Sequence, residues 1–511
     1  MSGNAAPENA TPGTTAPGTT APGTTAPGTT APGTTAPGNA TPGNAAPERT
    51  TSGTTAAGVP PRPPLTLDEL RTLVDAGEVH TVALAFTDMQ GRLQGKRFAA
   101  RFFLDEVAEH GAEACDYLLA VDVDLNTVDG YAFSSWATGY GDFAMRPDLG
   151  TLRLTPWQPG TAQVTADLAR HGGHPVDAAP RQLLRRQIAR LAEYGLAADI
   201  GTELEFLVFR DTYEQAWLGG YRGLTPANLY NVDYSMLGTA RVEPLLSRIR
   251  NEMAGAGLVV ESAKGECNLG QHEIAFRYAD ALTTCDQHSV YKTGAKEIAA
   301  QLGCALTFMA KYDEREGNSC HIHLSLRDAV GAPAFADRDG RMTDTMRHFL
   351  AGQLKALREF SVLYAPNINS YKRYRPGSFA PTAVAWGRDN RTCAYRVVGH
   401  GPGLRMENRV PGGDVNPYLA VAGMIAAGLY GLQRKLELPT PCLGNAYAVE
   451  EYARVPGSLR EAAELWAQSE LAREAFGDDV VDHYLNMARV EQAAYDGAVT
   501  DWERYRSFER M

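Results

Sequence analysis

Glu203-Leu204-Glu205-Phe206-Leu207-Val208-Phe209 is a run of strand-forming residues carrying two carboxylates two positions apart. Successive side chains of a strand point to opposite faces, so Glu203 and Glu205 share one face and Leu204, Phe206 and Val208 share the other. Two like charges on so apolar a strand are costly unless a cation lies between them. A divalent metal ion is the simplest such cation. A solvent-facing edge strand is the alternative, and Phe206, Val208 and Phe209 argue against it.

Working outward, Lys264-Gly265-Glu266-Cys267-Asn268-Leu269-Gly270-Gln271-His272-Glu273-Ile274 sets Glu266 and Glu273 on either side of a glycine turn. In Gly317-Asn318-Ser319-Cys320-His321-Ile322-His323-Leu324-Ser325-Leu326, His321 and His323 alternate with apolar residues and so share one strand face. Such a pair also occurs as a structural or zinc fragment, but no thiolate or third histidine stands at zinc spacing. Arg405-Met406-Glu407-Asn408-Arg409 puts Glu407 between two arginines, again with period two. Five carboxylates with one or two histidines form an oxygen-rich donor set, which suits Mg²⁺ or Mn²⁺. Ions of this kind commonly clamp nucleotide phosphates. Arg373, in Asn369-Ser370-Tyr371-Lys372-Arg373, and Arg391 and Arg396, in Asn390-Arg391-Thr392-Cys393-Ala394-Tyr395-Arg396, add the side chain best shaped for gripping carboxylate and phosphate.

Residues 1–63 are repeats such as Thr14-Thr15-Ala16-Pro17-Gly18 at a five-residue period, and this composition predicts a disordered tail. Order is expected from Leu65. Thr66 and Glu69 read as a capping box, with Leu65 and Leu70 as a hydrophobic staple and Gly77 as the helix stop. Val79–Thr87 and Leu93–Phe98, joined by the turn Met89-Gln90-Gly91-Arg92, read as a hairpin opening a small domain over 64–165. A larger domain is expected over 166–511. It begins with a helix over Arg181–Tyr194 stopped by Gly195, continues with irregularly alternating strands and helices, and ends in a polar helical stretch from Ser458. The order of elements predicts an α+β class.

The 511 residues are 44% hydrophobic, enough for a large core, and carry a net charge of -12. No basic block suggests nucleic acid. No apolar run is long enough to cross a membrane, and the N-terminus has no secretory pattern, so a cytoplasmic protein is expected. The 7 cysteines form no CxxC pair and read as reduced thiols.

Taken together and in order, these segments resemble the glutamine synthetase family from about Leu65 onward. Gln271-His272-Glu273-Ile274, Asn369-Ser370-Tyr371-Lys372-Arg373 and Asn416-Pro417-Tyr418-Leu419-Ala420 are the most specific matches. The resemblance implies a small N-terminal β-grasp domain, a large catalytic α+β domain, and a homo-oligomeric ring, dodecameric in type. It implies ATP as co-substrate, L-glutamate as substrate, and two or three Mg²⁺ or Mn²⁺ ions. Glu205, Glu266 and Glu273 would hold one ion, and Glu203, His321 and Glu407 another. Arg391 and Arg396 would stabilise the phosphoryl group in transfer, Arg373 and Arg409 would hold glutamate carboxylates, and Gly317 would pack against the amino acid. His323, Ser325 and Arg405, with Arg391 and Arg396, match positions lining the ATP site.

Departures from the family pattern point to the acceptor. Where glutamine synthetases carry a flap glutamate that attracts and deprotonates ammonium, this chain has Phe379, within Arg375-Pro376-Gly377-Ser378-Phe379-Ala380-Pro381. Phenylalanine can do neither, but it can pack on a carbon chain. The ammonium-binding aspartate loop is also altered: Tyr131, Ala132 and Phe133 separate Asp129-Gly130 from Ser134-Ser135, and Trp136 follows. The expected acceptor is therefore a primary amine larger than ammonia, polyamine or monoamine such as ethanolamine. The subgroup most similar would be the γ-glutamyl-amine ligases of actinobacterial type. Glutamine synthesis from ammonium is the alternative, and a non-catalytic structural homologue a weaker one. Glu316 stands where the family usually has asparagine, unless Asn318 takes that role. No regulatory tyrosine loop is recognisable around Leu436–Tyr447, so control by adenylylation is not expected.

Overall fold

In the computed structural model, which describes residues 62–511, the first helix (Leu67–Asp75) is held by the reciprocal capping box of Thr66 and Glu69. The expected tail lies outside the described residues except for Arg62 and Pro63.

Five strands follow: β1 Thr81–Thr87, β2 Leu93–Ala99, β3 Ala112–Cys115, β4 Asp142–Leu154 and β5 Thr161–Ala169. They form a mixed sheet in the order β2-β1-β5-β4-β3. β1 and β2 are the expected hairpin, and β1 runs parallel to β5. The boundary expected at 165 falls inside β5, which continues four residues further before the chain leaves the sheet.

Nine strands build a second sheet: β6 Leu196–Phe209, β7 Val260–Gly265, β8 Gln271–Phe276, β9 Ala279–Asp280, β10 Ala305–Thr307, β11 Cys320–Asp328, β12 Trp386–Arg388, β13 Tyr395–Val398 and β14 Arg405–Asn408. The main path is β12-β13-β14-β11-β6-β8-β7, with β9 and β10 also pairing to β6. β6 begins earlier than the apolar run suggested and lies at the centre of the sheet. Leu204, Phe206, Ile274, Cys320, Ile322, Leu324, Val397 and Met406 alternate out of the other face and are buried. They join the core that also takes in Val82, Leu84 and Val164 of the first sheet.

Two sets of polar contacts tie the first sheet to helices that follow it in the chain. Arg181, on the helix Pro180–Ala192, reaches Asp148 at 2.7 Å, Asp167 at 2.5 Å and Asp286 at 2.8 Å. The guanidinium is buried, and these carboxylates supply its compensating charge. The Asn416 amide donates to the carbonyls of Asp88 and Met89, fixing the β1–β2 turn against the start of the helix Pro417–Arg434.

Candidate active site

Strand register alone gathers the chemistry. Residues directly opposite in neighbouring strands share a face. Glu203 of β6 lies opposite His321 of β11, and Glu205 lies opposite Glu273 of β8. Glu407 of β14 lies opposite His323 and Arg396 of β13. Lys264 of β7 lies opposite Glu273. The face turned away from the core is thus a ladder of ionic side chains across five adjacent pairings.

Within that ladder, donor atoms of Glu203, His321 and Glu407 lie within 4.8 Å of one another, as do those of Glu205, Glu266 and Glu273. The six residues expected as ligands therefore stand in the two expected groups of three. His321 Nδ1 is 3.2 Å from Glu203. The same nitrogen is 3.6 Å from Glu407, so one imidazole nitrogen faces both carboxylates, while the buried Nε2 has no hydrogen-bond partner among the described residues. A neutral imidazole nitrogen set between two carboxylates fits a divalent cation. His323 Nε2 lies 2.9 Å from the other oxygen of Glu203, and its Nδ1 accepts from Arg405 at 3.2 Å.

The charges are unevenly balanced. Burial would raise Glu203, but hydrogen bonds from His321 and His323 outweigh it and hold the carboxyl well below the usual range. His321 is itself pushed down by burial and by Arg409, so near neutral pH its hold on Glu203 is a hydrogen bond rather than an ion pair. Glu407, fully buried, is likewise held low against the burial effect by His321 and Arg409. Arg409 and, at 2.9 Å, Arg396 bond to its two oxygens. Glu273 is the exception. Burial pushes it up to about 8, and Lys264 opposes that shift while Glu203, Glu205 and Glu407 add repulsion. This carboxylate needs more positive charge than the protein supplies.

Two cavities open on either side of Glu203. One, of about 280 Å³, is walled by Glu205, Glu266, Glu273, Gly317, Phe379, Arg391, Arg396 and Arg409. The other, of about 330 Å³, is walled by His323, Ser325, Arg405, Phe276 and Tyr278. Gly317, Phe379 and Arg409, expected for glutamate, line the first, and His323, Ser325 and Arg405, expected for ATP, the second; Arg391 and Arg396, also expected at the ATP site, lie on the first, and Glu203 is on both.

Arg373 is not on either wall. Its guanidinium is buried, donating to the Val410 carbonyl at 2.9 Å and to the Ser319 hydroxyl at 2.8 Å. It backs Gly317, where a Cβ would stand 2.2 Å from the Ala310 carbonyl oxygen and 2.7 Å from Arg373 Cγ. Only glycine lets the backbone lie this close behind the cavity wall. Glu316 and Asn318 are placed differently. Asn318 is fully buried, donates to the carbonyls of Thr307 and Met309 and accepts from Gln271, whereas Glu316 lines the first cavity.

Phe379 is half-exposed at the same cavity and held at φ 57°, a left-handed conformation that is strained for an aromatic residue. Arg409 donates to its carbonyl at 3.4 Å. Asp129 and Trp136 line neither cavity of this chain. Sequence reasoning gave no role to Asp233, Tyr234 or Lys264, which share the Phe379 cavity, or to Asp389, which accepts from Arg396 at 2.9 Å. Of these, only Lys264 carried a signal, lying two residues before Glu266 at strand spacing.

A sequence profile described as "Glutamine synthetase, catalytic domain" matches residues 177–507. The gamma-glutamylethanolamide synthetase of Streptomyces coelicolor is 74% identical over 449 residues, 88% of this chain and 97% of the relative. The glutamate–isopropylamine ligase of a Pseudomonas species is 38% identical over 441 residues, 85% of this chain and 96% of the relative. Among solved structures, a GmaS complex with ADP aligns with a TM-score of 0.76 at 27% identity, over 86% of this chain and 99% of that one.

Proposed function

The chain belongs to the glutamine synthetase family, and from that premise we propose that it is an ATP-dependent ligase joining the γ-carboxylate of L-glutamate to a small primary amine, ethanolamine above all. The observation that carries the reading is the ionic sheet face between two cavities, with Phe379 rather than a carboxylate at the mouth of the glutamate-side cavity. Its two most informative relatives are named for amine acceptors, ethanolamide and isopropylamine.

ATP enters the cavity of His323, Ser325 and Arg405 with its phosphates toward Glu203, and glutamate enters the other with its γ-carboxylate toward the same point. Two divalent ions, Mg²⁺ or Mn²⁺, would be held by Glu203, His321 and Glu407 and by Glu205, Glu266 and Glu273; bound there, they neutralise phosphate charge. Arg391 and Arg396 stabilise the γ-phosphoryl group as it passes to the carboxylate, leaving ADP and the acyl phosphate. Arg409 orients glutamate, and Arg373 acts from behind by fixing Ser319 and Gly317. The amine then attacks the acyl carbon, phosphate leaves, and the nitrogen loses a proton to give the γ-glutamyl amide. Phosphoryl transfer of this type is mostly positioning and charge neutralisation, and the acyl phosphate must be kept from water. Phe379 and Tyr234 supply apolar cover for that step and a surface for the acceptor's carbon chain.

A homo-oligomeric ring in the cytoplasm, serving amine assimilation or detoxification, accompanies this reading. No helix among the described residues is long and apolar enough to cross a membrane. The test is ATP-dependent phosphate release with glutamate and Mg²⁺ across ammonium, ethanolamine, short alkylamines, putrescine and spermine, with product masses read in parallel. An organic amine should give the highest kcat/KM and the γ-glutamyl adduct mass. A higher kcat/KM for ammonium than for every amine would make the chain a glutamine synthetase instead.

A further inference from the structure

Lys264 has no part in the reaction as drawn, yet it lies inside the acidic cluster. From β7 it stands opposite Glu273 in register, bonds Glu266 through Nζ, and lies 3.9 Å from the nearer oxygen of Glu273. Its side chain is about a quarter exposed, so the contact is neither free surface nor deep core. The same Nζ lies 5.0 Å above the ring of Tyr234, a second resting place for an ammonium group.

The two clusters are neutralised in different ways. At Glu407, Arg396 and Arg409 approach the carboxylate from its own flanks, and His321 faces it through Nδ1 at 3.6 Å. At Glu205, Glu266 and Glu273 the cation is an ammonium that bonds Glu266 and lies 3.9 Å from Glu273, two of the three carboxylates a bound ion would share. A divalent cation and the Lys264 ammonium compete for the same oxygens.

Resting on the reading of this cluster as an ion site, we propose that Lys264 is its resident counter-cation, which a divalent ion must displace toward Tyr234 to enter. Lys264 thereby weakens the second ion's binding and offsets carboxylate repulsion in the ion-free cluster. It is a positioning residue, acting through Glu266 and Glu273 rather than on substrate.

The experiment is Mn²⁺ titration of the full chain, following free Mn²⁺ by electron paramagnetic resonance. Losing a partly buried ion-pair competitor should tighten the weaker Mn²⁺ binding event of Lys264→Met by about fivefold. Lys264→Arg, which keeps the charge, should stay within about twofold of the unsubstituted protein. Without metal, Lys264→Met should melt lower, and Mn²⁺ should restore it. A general folding defect would loosen metal binding, so tightening distinguishes the proposal from a structural role. Equal or weaker Mn²⁺ binding by Lys264→Met overturns the proposal while leaving the ion site standing. Failure of the unsubstituted protein to bind Mn²⁺ overturns both. Should Lys264→Met not fold, reductive methylation of the unsubstituted protein decides. Saturating Mn²⁺ should increase labelling of Lys264, and unchanged or reduced labelling overturns the proposal.

Discussion

Replacing Phe379 by glutamate restores the carboxylate that the flap lacks, and its effect divides into two parts that one assay can separate. Residue 379 keeps its left-handed backbone and its place at the cavity, so only the side chain's chemistry changes. The new carboxylate attracts any ammonium group. A charge-assisted hydrogen bond of about 1.5–3 kcal/mol should raise kcat/KM for ammonium by about tenfold or more. That gain is shared by ethanolamine, which also arrives as a cation, and so cancels in the ratio. The loss of the ring falls on the carbon chain alone. Two methylenes at about 0.8 kcal/mol each sum to about 1.6 kcal/mol, or roughly 15-fold. Phosphate release measured with each acceptor under saturating ATP and glutamate should therefore show the ammonium-to-ethanolamine ratio of kcat/KM rising roughly 15-fold. Phe379→Leu, which keeps an apolar surface, should move it less than about threefold. If Phe379→Glu leaves the ratio within about threefold, the ring does not choose the acceptor and the reasoning from the flap fails.

Glu273→Ala should cut phosphate release by about 10³-fold with no change in oligomer size by sedimentation. Because Glu273 is buried against three other carboxylates, the same variant should melt higher than the unsubstituted protein when both are metal-free. Gly317→Ala forces a Cβ onto the Ala310 carbonyl and Arg373; a loss of about 1–3 kcal/mol in stability and a raised glutamate KM are expected from denaturant melts and kinetics. His483, fully buried, is pushed down to about 4 by burial, against 6.5 unfolded. The unfolded chain therefore binds the proton first, and stability is lost as pH falls from about 6.5 to about 4, by up to about 3 kcal/mol. His483→Gln should flatten the decline in melting temperature over that window, and an unchanged slope would show that His483 is not its source.

Much of this architecture was legible, and what was not has a physical reason. The capping box at Thr66 and the β1–β2 hairpin are local devices, complete within a few residues, so the pattern and the outcome coincide. The shared face of Glu203 and Glu205 follows from strand period alone. Which strands flank them does not, because β8 and β11 lie about 70 and 120 positions away and pairing over such separations leaves no periodic mark. The end of β5 was not legible for a related reason: the strand runs on to Ala169 under pairing with β4, which its own composition does not announce. Asn318 and Glu316 could not be told apart, since which of two polar neighbours faces a cavity depends on the carbonyls of Thr307 and Met309 that capture one of them. Arg373 likewise reads as a cavity residue until Ser319 and Gly317 are seen between it and the space.

The ionic ladder also explains why the two faces of one sheet differ so sharply. Every pairing that sets Ile322, Leu324 or Met406 into the core sets a charged or imidazole side chain at the next position on the opposite face. Core packing thus fixes the register to within a single residue, since a one-residue slip would bury Glu203, Glu205 and Glu407 among hydrophobic side chains. The positions of the carboxylates are therefore maintained by apolar contacts that do not depend on any bound ion, while their mutual repulsion, concentrated at Glu273, creates the demand for one. A site built this way need not be ordered by its ligand. On the proposed reading, cation binding would relieve a strain that the hydrophobic face already enforces, which is why Glu273→Ala is expected to gain stability and lose activity in the same molecule.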